Sequence, residues 1–129
     1  MRIPITKDQD VARAVLEGTR RAKELGLDQV TRQRVSTAIS ELARNIIKYA
    51  GGKGAVIIRT VSKAGRTGLE VVAADRGPGI ENVEEALEDH FSSGGTLGLG
   101  LPGVQRLMDE FTIQSEPGVG TTVTARIWV

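Results

Sequence analysis

Glu41 and Asn45 stand one helical turn apart in the run Thr37-Ala-Ile-Ser-Glu41-Leu-Ala-Arg-Asn45. A carboxylate and an amide at that spacing can both reach one bound ion or water. At roughly 100° per residue, Val35, Ile39, Leu42 and Ile46 gather on one face, with Glu41, Asn45 and Lys48 roughly 120° away. One helix thus carries an apolar stripe for a core and a separate polar stripe for chemistry. The second constellation is Asp75-Arg-Gly77-Pro-Gly79-Ile80. Asp75 shares the parity of Leu69, Val71 and Ala73, so its carboxylate points inward if those residues face the core. An inward carboxylate needs a donor, and the exocyclic amine of adenine is one candidate. Gly77 and Gly79 would let the backbone approach such a base.

Two more glycine clusters follow. Gly94-Gly95-Thr96-Leu97-Gly98-Leu99-Gly100 runs into Leu101-Pro102-Gly103, a loop feeding a helix whose first N–H groups are free to meet phosphate. No Gly-Lys-Ser/Thr follows, so it is not a P-loop. It follows no strand, so a Rossmann fingerprint fits poorly. Gly118-Val-Gly120-Thr121 precedes the last strand. Taken singly, each cluster also reads as a turn or a solvated face. Their order is what carries weight.

The elements that must position them follow from periodicity. Arg2–Thr6 reads as a short edge strand, with Pro4 suited to an edge. Asp8–Leu25 is helical, and Asp28 caps a second helix reaching about Tyr49. Ala55–Val61 and Leu69–Asp75 form a hairpin around a polar turn at Lys63–Gly68. A short acidic helix is expected near Val83–Glu88, a loop from about Asp89 to Gly98, and a helix over Leu101–Glu110. Phe111–Glu116 and Thr121–Val129 close the chain as strands, with Val123, Ala125, Ile127 and Val129 on one face. The order β–α–α–β–β–α–α–β–β predicts an α+β two-layer sandwich.

Composition bounds the function. The 129 residues make one domain, residues 1–129. A net charge of +1 argues against a general grip on nucleic acid. The absence of cysteine excludes disulfides and thiolate metal sites, and a single histidine, His90, argues against a His-based zinc site. No apolar run is long enough to span a bilayer and no signal-peptide pattern opens the chain, so a cytoplasmic protein with no membrane partner is expected.

With the four clusters in this order, the chain resembles the GHKL superfamily of ATP-binding domains, with Glu41 and Asn45 matching its N box, Asp75–Gly79 its G1 box, Gly98–Gly100 its G2 box and Gly118–Thr121 its G3 box. The resemblance covers nearly the whole chain. It implies the GHKL (Bergerat) two-layer fold, a mixed sheet covered on one face by helices. Gyrase and MutL relatives carry a following transducer domain, and histidine kinases a dimerisation helix with an acceptor histidine; neither is expected here. The run from Thr37 to Asn45 and the run Gly98-Leu-Gly-Leu-Pro-Gly-Val-Gln-Arg-Leu-Met-Asp-Glu-Phe111 look like those of the RsbT-like switch serine/threonine kinases of the stressosome. The alternative is an anti-sigma factor kinase, which shares the boxes.

The resemblance implies ATP and Mg²⁺ as cofactors. It implies Asn45 as the Mg²⁺ ligand, Glu41 as general base, and Asp75 and Thr121 on the adenine. Gly77 and Gly79 would shape the base pocket, residues Gly94, Gly95, Thr96, Leu97, Gly98, Leu99 and Gly100 would form a lid, and Lys48 would reach a phosphate. The stretch from Phe91 to Gly103 holds no Lys or Arg, so any cation at the γ-phosphate must come from elsewhere. STAS-domain scaffold and antagonist proteins (RsbS- or RsbR-like) are the implied substrates, and a PP2C-type phosphatase (RsbU-like) is the implied second partner. The first helix and its loop to the second are the expected partner surface.

Overall fold

A computed structural model describes residues 1–88 and 100–129. Nine elements run β1 (Arg2–Ile5), α1 (Asp8–Glu24), α2 (Gln29–Ala50), β2 (Gly54–Lys63), β3 (Arg66–Asp75), α3 (Val83–Ala86), α4 (Leu101–Leu107), β4 (Glu110–Glu116) and β5 (Gly120–Trp128). The expected loop at Asp89–Gly98 lies outside the described residues.

The five strands form one sheet in the order β1-β2-β3-β5-β4. Every ladder is antiparallel, which corrects the expected mixed sheet. The reason is topological: β5 inserts between β3 and β4, and β2 between β1 and β3, so strands of like direction are never neighbours. The two-layer α+β sandwich stands. Val56, Ile58, Leu69, Val71, Val123, Ala125 and Ile127 form the covered face of the sheet and pack with Val35, Ile39, Leu42 and Ile46 of α2 in one core. The small residues Ala14, Gly18 and Ala22 of α1 let it lie against α2, where a Cβ on Gly18 would collide with Ile39.

Both long helices begin and end as their sequences dictate. The Asp28 carboxylate accepts from Thr31 N–H at 2.8 Å, and Gly51 closes α2 at φ 62°. Asp10, in the first turn of α1, accepts from the backbone of Thr6 and Lys7 and from the Thr6 hydroxyl. Those bonds, the Thr6 backbone first, hold its carboxyl below the usual range against the opposing effect of burial.

Other bounds moved. The β2–β3 turn is only Ala64 and Gly65, both at positive φ, so the strands extend into the polar run taken for a turn. Helix α4 stops at Leu107, because Glu110 is already paired with Arg126 in the sheet. Val129 lies beyond β5 and is exposed, off the covered face.

The open face of the sheet carries a charged ladder. Arg59, Glu70, Arg126 and Glu110 are successive register neighbours. Glu70 is 1% exposed and accepts from Arg59 Nε on one side and Arg126 Nε, at 2.7 Å, on the other. Burial alone would raise its carboxyl; the two guanidiniums outweigh burial and lower it. A depressed pKa gives stability above the unfolded-state value and loses it as pH falls through the folded one. Glu70→Gln is therefore expected to cost about 2 kcal/mol at neutral pH. Its deficit against the wild type should shrink at pH 3, as urea melts at the two pH values would read.

Candidate active site

At the end of β3 the chain turns through Asp75–Ile80, and this loop is held from two directions. Asp75 Oδ1 accepts from Gly77 N–H at 2.9 Å and from Thr121 N–H at 3.2 Å. Gly118 N–H donates to Pro78 C=O at 2.8 Å, fastening the β4–β5 turn to the same loop. The two backbones touch where the glycines are. A Cβ on Gly79, at φ 75°, would strike Glu116 C=O, and one on Gly120 would strike Asp75 C=O. The second and fourth glycine clusters of the sequence are thus two halves of one packed junction.

That junction walls a pocket. Its rim and sides come from Leu42, Asn45, Ile46 and Tyr49 of α2, Ala73 and Asp75 of β3, Pro78–Ile80, Leu101 of α4, and Thr121 and Val123 of β5. It is apolar apart from the Asp75 carboxylate, the Asn45 amide and two hydroxyls, those of Tyr49 and Thr121. Both hydrogen bonds to the Asp75 carboxylate among the described residues go to Oδ1, which leaves Oδ2 to accept from a ligand. A mostly apolar pocket with a carboxylate acceptor suits an adenine ring and its amine.

Glu41, one turn before Asn45, opens elsewhere. It lines a neighbouring cavity with Thr37, Gly100, Pro102, Gly103, Val104, Arg106 and Leu107. Leu101, buried, stands at the base pocket, while Gly100 beside it lies against the Glu41 carboxylate. A Cβ at Gly100, where φ is 66°, would come within 2.5 Å of Glu41 Oε2. The start of α4 therefore divides a slot for a base from a cavity that reaches a carboxylate.

Of the residues singled out in the sequence, Asn45, Asp75, Gly79 and Thr121 meet in the slot, with Gly77 bonded to Asp75 behind it. Lys48 is exposed and outside the residues lining the slot; its ammonium lies 5.3 Å from the centre of the Tyr49 ring. Gly94, Gly95, Thr96, Leu97, Gly98 and Leu99 lie outside the described residues, as does His90.

Two residues escaped the sequence reading. Tyr49 lines the slot one turn after Asn45, at a spacing that would have found it. Ser115 continues the inward parity of Phe111 and Ile113, the same signal that marked Asp75. Its hydroxyl accepts from Ile80 N–H at 2.7 Å and lies 2.8 Å from Thr121 Oγ1 and 3.2 Å from Gly120 C=O. It joins the Asp75–Ile80 loop to the strand that carries Thr121. Ser115→Ala is expected to keep the fold and weaken ATP binding about 3- to 10-fold, since a hydrogen bond contributes about 1 kcal/mol. Calorimetric titration checks it.

Among the described residues no three His, Cys, Asp or Glu side chains gather into a metal cage. Among the oxygen donors lining the slot, the Asn45 amide is the one on the helix that also carries Glu41, away from the Asp75 carboxylate that ties β3 to Gly77 and Thr121. One hard oxygen ligand fits a Mg²⁺ that arrives on nucleotide phosphates and keeps waters, rather than one held by an all-protein site.

Comparison with known proteins bears on the fold and the family. The family model described as "Histidine kinase-like ATPase domain" matches residues 5–127. The serine/threonine-protein kinase RsbT of Bacillus subtilis (strain 168) is 48% identical over 127 residues, covering 98% of this chain and 95% of the relative. An anti-sigma F factor of Caldanaerobacter subterraneus subsp. tengcongensis is 35% identical over 94 residues, covering 69% of this chain and 64% of that protein. Among solved structures, the nucleotide-free catalytic domain of histidine kinase ThkA superposes with a TM-score of 0.56 at 15% identity, over 98% of this chain and 93% of that one, a likeness of fold.

Proposed function

Because the chain belongs to the histidine kinase-like ATPase domain family, we propose that it is an ATP-dependent protein serine/threonine kinase of a partner-switching system. The observation that carries this is the division made by α4: a base slot at Asp75 on one side, and on the other a carboxylate reachable without passing through the slot.

Adenine enters the apolar slot, and its amine donates to Asp75 Oδ2. Thr121 lies beside Asp75 as a second polar contact. Asn45 lies on the same helix as Glu41, so the end of the nucleotide at Asn45 is the end nearer the carboxylate. Asn45 would hold Mg²⁺ together with the phosphates, and the ion would supply charge neutralisation there. Glu41 takes the proton from the acceptor hydroxyl as that oxygen forms its bond to the γ-phosphorus. The bond from the γ-phosphorus to the β–γ bridging oxygen breaks, and ADP departs with that electron pair. The residues from Gly94 to Gly100 over the phosphates and a phosphate contact by Lys48 belong to the same reading.

The substrates we propose are STAS-domain proteins of a stress-signalling complex, and the second partner a PP2C-type phosphatase bound on release. The likeness to RsbT along nearly the full length of both chains supports this over the anti-sigma reading, whose relative is matched over 64% of its length. The test is phosphoryl transfer from labelled ATP and Mg²⁺ to a purified STAS-domain protein from the same operon. Label on a serine or threonine of that protein is the expected result. ATP binding without label would favour a nucleotide-gated binding module. A pull-down that recovered a sigma factor in place of the phosphatase would favour the anti-sigma reading.

A further inference from the structure

The cavity at Glu41 does not end at Glu41. Thr37 and Leu107 line it, and the same two residues line a second depression with Gln29, Val30, Gln33 and Arg34. The two form one groove along the N-terminal half of α2, walled on the far side by α4. Val30 is 66% exposed at its outer end, and Leu107 is half-buried in its middle. Among the described residues the charged side chains that line it are Arg34, Arg106 and, at the inner end, Glu41. Beyond the carboxylate that receives the proton, the groove is cationic with an apolar patch.

We infer that this groove docks the acceptor segment of the protein substrate, presenting its hydroxyl to Glu41 and a carboxylate to Arg34. The inference rests on the kinase reading above and names the surface that reading requires. Continuity with Glu41 is one argument: a hydroxyl that reaches this carboxylate without entering the base slot comes through the cavity whose extension is the groove. Charge is the other. Arg34 is seven residues before Glu41 on one helix, so about 10 Å away, and Val30 is about 16 Å away. An extended segment advances about 3.3 Å per residue. The occupant is therefore a stretch with Ser or Thr, an acidic residue about three positions away and an apolar residue about five positions away.

A rival surface exists between α1 and α2, where Leu16, 72% exposed, lies with Val11, Val15, Ser40 and Arg44. It shares no residue with the cavity at Glu41. It includes the first helix, which the sequence reading favoured as a partner surface, yet it leads to no reacting group.

The experiment compares Arg34→Glu, Val30→Asp and, for the rival, Leu16→Asp. Two readouts are taken with one STAS-domain protein: steady-state transfer from ATP, and equilibrium binding of that protein in the presence of ADP. The expected result is a KM for the protein substrate raised about 10-fold or more by Arg34→Glu and by Val30→Asp, with a matching loss in binding and no change in ATP affinity. Reversing the acidic residue near the acceptor to Lys should restore Arg34→Glu. Unchanged KM and binding in both groove variants overturn the proposal. So does a loss confined to Leu16→Asp, which would move docking to the α1–α2 surface. Transfer absent from the wild type would sink the kinase reading, while the binding arm would still decide whether the groove is the docking surface.

Discussion

Glu41→Gln is expected to lower phosphoryl transfer by about 10²- to 10⁴-fold, the usual contribution of a positioned general base, while ATP affinity changes little. The two halves of this expectation come from one geometric fact. Glu41 does not line the base slot; it lines the cavity on the other side of Gly100. Gln keeps the size of the side chain and its fit against Gly100, where space is short, so the start of α4 stays in place. What it removes is the ability to take a proton. Asn45→Ala provides the contrast, since Asn45 lines the slot itself and its loss should weaken both nucleotide binding and transfer. Single-turnover transfer and calorimetric titration on the same preparations separate the two. Transfer within about threefold of wild type in Glu41→Gln would remove Glu41 from the role of base.

How far these conclusions were legible in the sequence depends on how local their causes are. Helix α2 was readable because its caps, Asp28 and Gly51, and its apolar stripe are properties of one segment. Asp75 was readable because parity along β3 carries over to the residue that ends it. The insertion of β5 between β3 and β4 was not, since antiparallel order in a sheet depends on which strands meet, and no single run records that. For the same reason the contacts of Gly79 with Glu116 and of Gly120 with Asp75 were invisible: each glycine is explained by backbone distant in sequence. Ser115 belongs to this class. Its parity was visible, but its partners Ile80 and Thr121 become neighbours only once the sheet is assembled. The division between slot and cavity is likewise tertiary, made by Leu101 and Gly100 of a helix that periodicity drew three residues too long.

Asp75→Asn should leave the fold nearly intact and reduce ATP affinity about 10- to 100-fold, and the reason lies in how the two oxygens of Asp75 are used. Oδ1 accepts from Gly77 N–H and Thr121 N–H, bonds that tie the loop to β5. An Asn side chain can keep both by turning its carbonyl oxygen to that side, which puts its NH₂ in the place of Oδ2. The adenine amine would then meet a donor rather than an acceptor. The lost bond to a charged group is worth about 1.5–3 kcal/mol, the origin of the expected factor. The opposite amide orientation would keep the adenine contact but leave Gly77 and Thr121 N–H facing a donor, a worse outcome for the folded loop. Guanine supplies a check on the same atoms, since it carries an oxygen acceptor where adenine carries the amine. The preference for ATP over GTP should therefore narrow in Asp75→Asn. Titration of both nucleotides with a thermal melt would read all three quantities together. Unchanged ATP affinity with a lowered Tm would mean that Asp75 serves the loop and not the base; lowered affinity with a Tm within a few degrees of wild type would place adenine at Oδ2.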